Sequence, residues 1–158
     1  MPEAAAGAIA DGVHILPLRV YYEDTDASGV VYYANYLRFI ERGRTDMLRL
    51  LGVSHRALDD SAGIAVTVRR CEIDYLAPAR LDDEIEVHTA IAAVGGATIE
   101  ARQSVLRGKD ELARGRLRLA CVGLDGRPRR VPAAVRTALA ALPLDDSQPP
   151  SKSQTTSA

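Results

Sequence analysis

The chain has 158 residues, 47% of them hydrophobic and 26% charged, a globular composition that excludes a wholly disordered protein. At about 100–200 residues per domain, this length supports one domain with enough chain to bury a core without disulfide or metal staples. Lys+Arg 20 against Asp+Glu 21 gives a net charge of -1, which lacks the basic footprint of a nucleic-acid binder.

Residues 1–12 are small and Ala-rich and are expected to form a flexible N-terminus, without the basic start and apolar stretch of a leader. No later segment approaches the ~18 uninterrupted apolar residues of a membrane span, so the chain reads as soluble and cytoplasmic. Cys71 and Cys121 have no metal-type spacing and lie in alternating apolar runs, which reads as reduced core cysteines.

The first strand is expected over Val13 to Tyr22, where Leu16, Leu18 and Val20 alternate with Ile15, Pro17 and Arg19. The turn-rich stretch Glu23-Asp24-Thr25-Asp26-Ala27-Ser28-Gly29 follows. Tyr36, Ile40, Met47 and Leu51 then recur at helical spacing, with Leu37 and Leu48 widening the stripe. This predicts a long helix over Ala34 to Leu51, stopped by Gly52. Ser54 is placed to cap a short second helix through Asp60.

From Gly63 the period changes to that of strands, expected over Ile64–Leu76, Asp83–Val94, Ala97–Arg107 and Glu111–Val122. Gly95-Gly96 reads as a tight hairpin, since glycine accepts positive φ. Pro132 opens a final short helix, Ala133 to Leu142. Residues 143–158 are polar, Pro- and Ser-containing and without apolar period, as expected of a disordered tail. The domain is therefore placed at 13–142. One long helix on five antiparallel strands is an α+β arrangement, and the face or edge it leaves uncovered predicts self-association.

The residues that carry chemistry crowd into 20–36. A carboxylate-rich turn precedes the long helix, whose first backbone N–H groups are unpaired and carry partial positive charge. Such a terminus can hold a developing oxyanion. A carboxylate just upstream suits activation of water or attack on an acyl carbonyl, and Gly29 lets the backbone approach a ligand. Turn aspartates also serve as Asx-turns and caps. The chain has no phosphate-cradling G-x-G-x-x-G and no metal-ligand cluster, so no cofactor and no metal are expected. His14, His55 and His88 read as surface or satisfied residues.

The run D-x-D-x-x-G-V-V-Y-Y-A-N-Y-L, Asp24 to Leu37, resembles the signature of the 4-hydroxybenzoyl-CoA thioesterase family of hotdog-fold enzymes. The longer stretch from Val20 to Asp46 and the run Tyr75-Leu76-Ala77-Pro78-Ala79-Arg80-Leu81-Asp82-Asp83 are similar to its Tol-Pal-associated acyl-CoA thioesterase branch. The resemblance covers roughly Leu18 to Leu142. It implies a hotdog fold, a long central helix wrapped by a curved antiparallel five-stranded sheet. It also implies hydrolysis of an acyl-CoA to a carboxylic acid and free coenzyme A, by a homodimer assembled into a homotetramer.

The resemblance assigns roles as well. Asp26 matches the catalytic carboxylate, as nucleophile or general base. Tyr33 matches the position whose backbone N–H polarises the thioester carbonyl, and Tyr22 an upstream tyrosine that orients the site. Gly29 would let the thioester approach, and Val30 and Val31 would line the acyl path. The Tol-Pal branch commonly has histidine where this chain has Tyr33, so a backbone donor is kept while a side-chain proton-transfer role is lost.

Several residues keep two readings. Arg129 and Arg130, in the cluster Arg127-Pro128-Arg129-Arg130, are either ligands for the phosphates of coenzyme A or part of a solvated turn. Glu41 is either a helix-borne catalytic carboxylate or the partner of Arg38 or Arg44. Asp24 reads as a turn cap. Acyl-carrier protein is an alternative to coenzyme A as the acyl carrier. The alternative function is a non-catalytic acyl-CoA-binding or envelope-associated adaptor module.

Overall fold

A computed structural model describes residues 2–54, 56, 58 and 63–142. Strands β1 (Ala8–Ala10), β2 (Val13–Arg19), β3 (Ile64–Tyr75), β4 (Glu84–Val94), β5 (Thr98–Arg107) and β6 (Asp110–Gly123) form one sheet. Their spatial order is β1-β2-β4-β5-β6-β3, with every neighbouring pair antiparallel. Helix α1 (Asn35–Leu50) lies across the inner face, and α2 (Ala133–Ala140) follows the last strand.

Strand alternation decides which side meets the helix. The register row Leu16–Val87–Val105–Ala113 crosses β2, β4, β5 and β6 and is buried with Phe39, Ile40 and Met47 of α1. Each large side chain so buried contributes about 1.5–3 kcal/mol. The alternate rows carry Arg70, Arg118 and Glu100 to the opposite face. Close approach of helix to sheet depends on Gly43, where an added Cβ would stand 2.7 Å from Val87 Cγ1 and 3.1 Å from Thr89 Oγ1. Beside it Gln103 is buried, and its Nε2 donates to the Ile40 carbonyl at 2.7 Å and to Thr89 Oγ1 at 2.9 Å. The amide is thus satisfied inside the core.

Helix α1 stops as its glycine predicts. Gly52 has φ 85, its N–H bonds the Arg49 carbonyl at 3.0 Å, and Val53 N–H bonds the Leu48 carbonyl at 2.8 Å. These are the two bonds of a Schellman motif.

The structure departs from the sequence expectations in three places. The sheet has six strands rather than five, because Ala8–Ala10 pairs with β2 through a turn at Asp11 and Gly12 with φ 52 and 79. The expected flexible N-terminus is therefore partly strand. Gly7 anchors it, since a Cβ there would collide with the Ile15 carbonyl and the His14 ring. The strand from Val13 ends at Arg19 rather than Tyr22, because the Asp24 carboxylate accepts Tyr21 N–H at 2.8 Å and folds 22–24 into a 3-10 turn. The Gly95–Gly96 hairpin forms, with Gly95 N–H on the Thr98 carbonyl at 2.7 Å, yet neither glycine takes a positive φ. The helix through Asp60 and the tail 143–158 lie, wholly or in large part, outside the described residues.

Candidate active site

Two segments far apart in sequence are laced together where α1 begins. Val31 N–H donates to the Ala79 carbonyl at 2.8 Å, Leu81 N–H to the Gly29 carbonyl at 3.3 Å, and Asp82 N–H to the Val20 carbonyl at 3.0 Å. Val30 and Arg80 form an isolated antiparallel bridge. From inside, the Tyr36 hydroxyl accepts Ala79 N–H at 3.0 Å. The signature and the run Tyr75 to Asp83 therefore build one locus.

The two aspartates of the signature do different work. Asp24 is buried; its Oδ2 accepts Tyr21 N–H at 2.8 Å and its Oδ1 accepts Asn35 Nδ2 at 2.6 Å. It clamps the turn to the first residue of α1, as its reading as a cap expected. Asp26 is exposed; its Oδ1 accepts Ser28 N–H at 2.8 Å, and its backbone closes the turn through Val30 and Gly29. Gly29 holds φ 77 there, a left-handed conformation that glycine adopts without strain. Asp26 Oδ2 has no partner among the described residues.

The start of α1 is open. Asn35 N–H reaches the Tyr32 carbonyl at 2.8 Å, Tyr36 N–H the Tyr33 carbonyl at 3.4 Å and Leu37 N–H the Ala34 carbonyl at 3.2 Å. No side chain caps the terminus at Ala34. The amides of Tyr33 and Ala34 consequently find no acceptor among the described residues, which is the donor pair an oxyanion needs. Between the turn and the helix lies a cavity of about 400 Å³, lined by Glu23, Asp24, Thr25 and Asp26 on one side and by Tyr32, Ala34, Asn35 and Arg38 on the other.

An aromatic group flanks the terminus. Tyr33 meets Tyr75 edge-on with centroids 6.1 Å apart, and Tyr36 meets Tyr75 at 5.5 Å. Hydrogen bonding to Tyr33, reinforced by repulsion between the two phenolates, raises the Tyr32 pKa, and burial raises that of Tyr75. Both phenols stay protonated near neutral pH.

Other expected site residues lie elsewhere or differ in role. Tyr22 opens the 3-10 turn, 83% exposed as a residue and with its hydroxyl without a partner among the described residues. Val30 is half-buried, but Val31 belongs to the hydrophobic core, so it anchors the loop instead of lining an open path. Arg129 pairs with Asp125 at 3.1 Å beside Gly123, with Arg130 next to it in the link to α2. Gly123 registers with Ile64, whereas Tyr75 registers with Ala113. The stretch from Ala113 to Gly123 spans about 33 Å at ~3.3 Å per residue. Within one chain, then, Arg129 and Arg130 stand at the wrong end of the sheet to meet a ligand at Tyr33.

Glu41 accepts Thr45 Oγ1 at 2.6 Å and forms no ion pair with Arg38 or Arg44, against the expected pairing. His14 is buried, with Nε2 2.8 Å from Asp46 Oδ2, and His55 lies outside the described residues. Two participants escaped the sequence reading. Asn35 carried no charge signal, and Arg38 looked like an ordinary solvent-facing helix residue. The only available clue was their i, i+3 spacing at the helix start, which places them on one face.

Comparison with known proteins gives the family. The family model described as Thioesterase-like superfamily matches residues 20–139. The chain belongs to that superfamily. Among curated relatives, the acyl-CoA thioesterase YbgC of Haemophilus influenzae is 43% identical over 123 residues, covering 77% of this chain and 90% of that protein. A probable thioesterase from Bartonella henselae superposes with TM-score 0.74 at 36% identity, over 76% of this chain and 99% of that one. A 4-hydroxybenzoyl CoA thioesterase, solved with 4-hydroxybenzoyl CoA, superposes with TM-score 0.73 at 22% identity over 80% of this chain and 98% of that one. At that identity the likeness speaks for the fold alone, the hotdog fold expected from the sequence. Among the described residues, no helix of this thioesterase-like chain is long and apolar enough to cross a membrane.

Proposed function

We propose that this protein is an acyl-CoA thioesterase, hydrolysing an acyl-CoA to a carboxylic acid and free coenzyme A. The observation that carries the reading is the pairing of a free Asp26 carboxylate oxygen with two unaccepted amides, Tyr33 and Ala34, on a loop and helix clamped by Asp24 and Asn35. The thioester carbonyl oxygen takes the amide hydrogen bonds, which strengthen as it becomes an oxyanion. Asp26 either accepts a proton from the attacking water or attacks the carbonyl itself. In the first route the C–S bond breaks as the oxyanion collapses, and the thiolate leaves to be protonated by solvent. In the second, water hydrolyses the mixed anhydride left on Asp26.

Release of free thiol from a panel of aromatic, short and long acyl-CoAs tests this. Wild type is expected to turn over, and Asp26→Asn to lose about 10²–10⁴ in kcat with the fold retained. No release from any thioester would leave a binding or adaptor role in its place. Burst kinetics with a trapped acyl-enzyme would select the nucleophilic route. The same assay with acyl-carrier protein thioesters decides the carrier.

The assembly we propose is a homodimer, paired further into a homotetramer. Support comes from the twelve-residue edge strand β3 and its exposed Val68 and Tyr75, an unprotected edge that favours pairing with another copy. Antiparallel pairing of two β3 edges would bring the Arg129–Arg130 end of one subunit beside the Tyr33–Tyr75 end of the other. That arrangement restores the phosphate-binding reading of Arg129 and Arg130 across the interface. Sedimentation as a monomer at working concentration would overturn it. So would unchanged KM and salt dependence in the Arg129→Ala, Arg130→Ala double variant. A cytoplasmic location and an association with the Tol-Pal envelope system rest on the resemblance of the signature, and fractionation with pull-down tests both.

A further inference from the structure

Helix α1 rests on β1, β2, β4 and β5, and on the inner face of β3 Ile64, Val66 and Ile73 pack against the core while Val68, Cys71 and Tyr75 stay exposed. Val68 and Tyr75 there are 45% and 46% exposed, and Leu37 on the helix is 43% exposed. The near end of this slot is the Tyr33–Tyr75 ring pair.

Its floor has a gap. Gly115 lies in the register row Gln103–Gly115–Ile73, on the face that every neighbouring row fills with a side chain. A Cβ at Gly115 would make only ordinary contacts, 3.5 Å from Leu117 Cδ1 and 3.6 Å from the Glu72 carbonyl. Packing therefore does not demand glycine at that point, and its φ is not left-handed.

At the far end stands Arg44. It leaves the helix next to Gly43 and donates Nη1 to Gln103 Oε1 at 3.0 Å; its other N–H groups have no partner among the described residues. Burial lowers its pKa, opposed by the charges of Glu41 and Cys71. Glu41 is already bonded by Thr45, so it offers Arg44 no paired contact. A half-buried guanidinium with unused donors is costly unless an acceptor arrives.

We infer that the slot over Gly115 receives the acyl group, and that Arg44 selects acyl groups carrying a carboxylate or hydroxyl at their far end. The inference rests on the thioesterase reading above. From Tyr33 to Arg44 the helix spans about 16 Å at 1.5 Å per residue. The arginine side chain leans back toward the helix N-terminus and shortens that gap. An acyl chain of medium length, held by its carbonyl at the Tyr33 amide, then ends at the guanidinium, which can take a carboxylate in a forked pair.

The test compares octanoyl-CoA with the ω-carboxy ester of the same chain length. It uses kcat/KM in wild type and Kd in the Asp26→Asn protein. Wild type is expected to prefer the ω-carboxy ester by about tenfold or more, the scale of one charge-assisted hydrogen bond. Arg44→Met should abolish that ratio, and Gly115→Val should lower both esters relative to acetyl-CoA. Equal kcat/KM and equal Kd for the two esters in the parent proteins would overturn the inference and leave the thioesterase reading standing. A preference in Kd without any hydrolysis would uphold the selective slot and overturn the thioesterase reading. Parallel loss on both esters in Arg44→Met, with the ratio kept, would reduce Arg44 to a structural residue and also overturn the inference.

Discussion

Replacing Asn35 by alanine tests how the Asp26 turn and the helix are held in register. Asp24 Oδ1 accepts Asn35 Nδ2 at 2.6 Å in a place where the aspartate is 7% exposed. Asn35→Ala strands that carboxylate oxygen without its donor. A hydrogen bond to a charged group is worth about 1.5–3 kcal/mol. In a domain of this size each kcal/mol moves Tm by about 2–4 °C, so the variant should melt roughly 3–12 °C below wild type. The clamp also sets the distance between Asp26 and the Tyr33 amide, and a displacement of about 1 Å at a reacting centre costs ~10²-fold. A fall of about 10–100-fold in kcat, with far less change in KM, is therefore expected. Calorimetry and steady-state thiol release read the two effects. Exchanging the pair, Asp24→Asn with Asn35→Asp, keeps an acceptor for Tyr21 and a donor–acceptor contact of the same size, and should recover most of the lost Tm. A single variant that melts and turns over like wild type would refute the clamp. A swapped double no better than the single would assign the loss to packing.

Three further outcomes follow from the same geometry. Tyr33→Ala keeps the backbone donor and loses exposed ring contacts with Tyr32 and Tyr75 worth about 0.5–1.5 kcal/mol each, so kcat should stay within about tenfold of wild type; a loss matching Asp26→Asn would mean that the phenol itself takes part. Gly43→Ala pushes a methyl against Val87 and should cost about 1–3 kcal/mol by urea unfolding, and an unchanged midpoint would contradict the close helix–sheet approach. For Asp83, burial pushes the carboxyl pKa up, but hydrogen bonds from Arg80 N–H at 2.8 Å and Arg107 Nη1 at 2.7 Å, with both charges, outweigh it and leave the pKa lowered. Its stabilising contribution is thus full above the unfolded value near ~3.9 and is lost as pH falls through the lower folded value. Asp83→Asn should melt below wild type at neutral pH and converge with it in strong acid; a gap that persists below both values would refute the assignment.

The order of elements and the identity of the core were legible along the chain because both rest on local periodicity. Tyr36, Ile40 and Met47 announce α1, Gly52 announces its end, and alternation marks β3 to β6; their bounds agree with the structure to within a residue or so. The candidate site was legible as a pattern too, since a carboxylate turn running into a helix start is local, and Asp24 already read as a cap. What tertiary structure alone decided are facts of distance. Pairing of Ala8–Ala10 with β2 depends on Gly7 meeting His14 and Asp46, a helix and a strand apart, and composition around it speaks only for flexibility. Val31 turned inward because the 77–83 segment crosses it, and Arg129 moved about 30 Å from Tyr33 because β6 runs antiparallel to β3. Gly115 is silent in sequence, one glycine among twelve, and Arg44, one arginine among eighteen, reads there only as a partner for Glu41. They acquire meaning only where the sheet sets them together on one inner face, since register, unlike periodicity, is a property of pairs of strands.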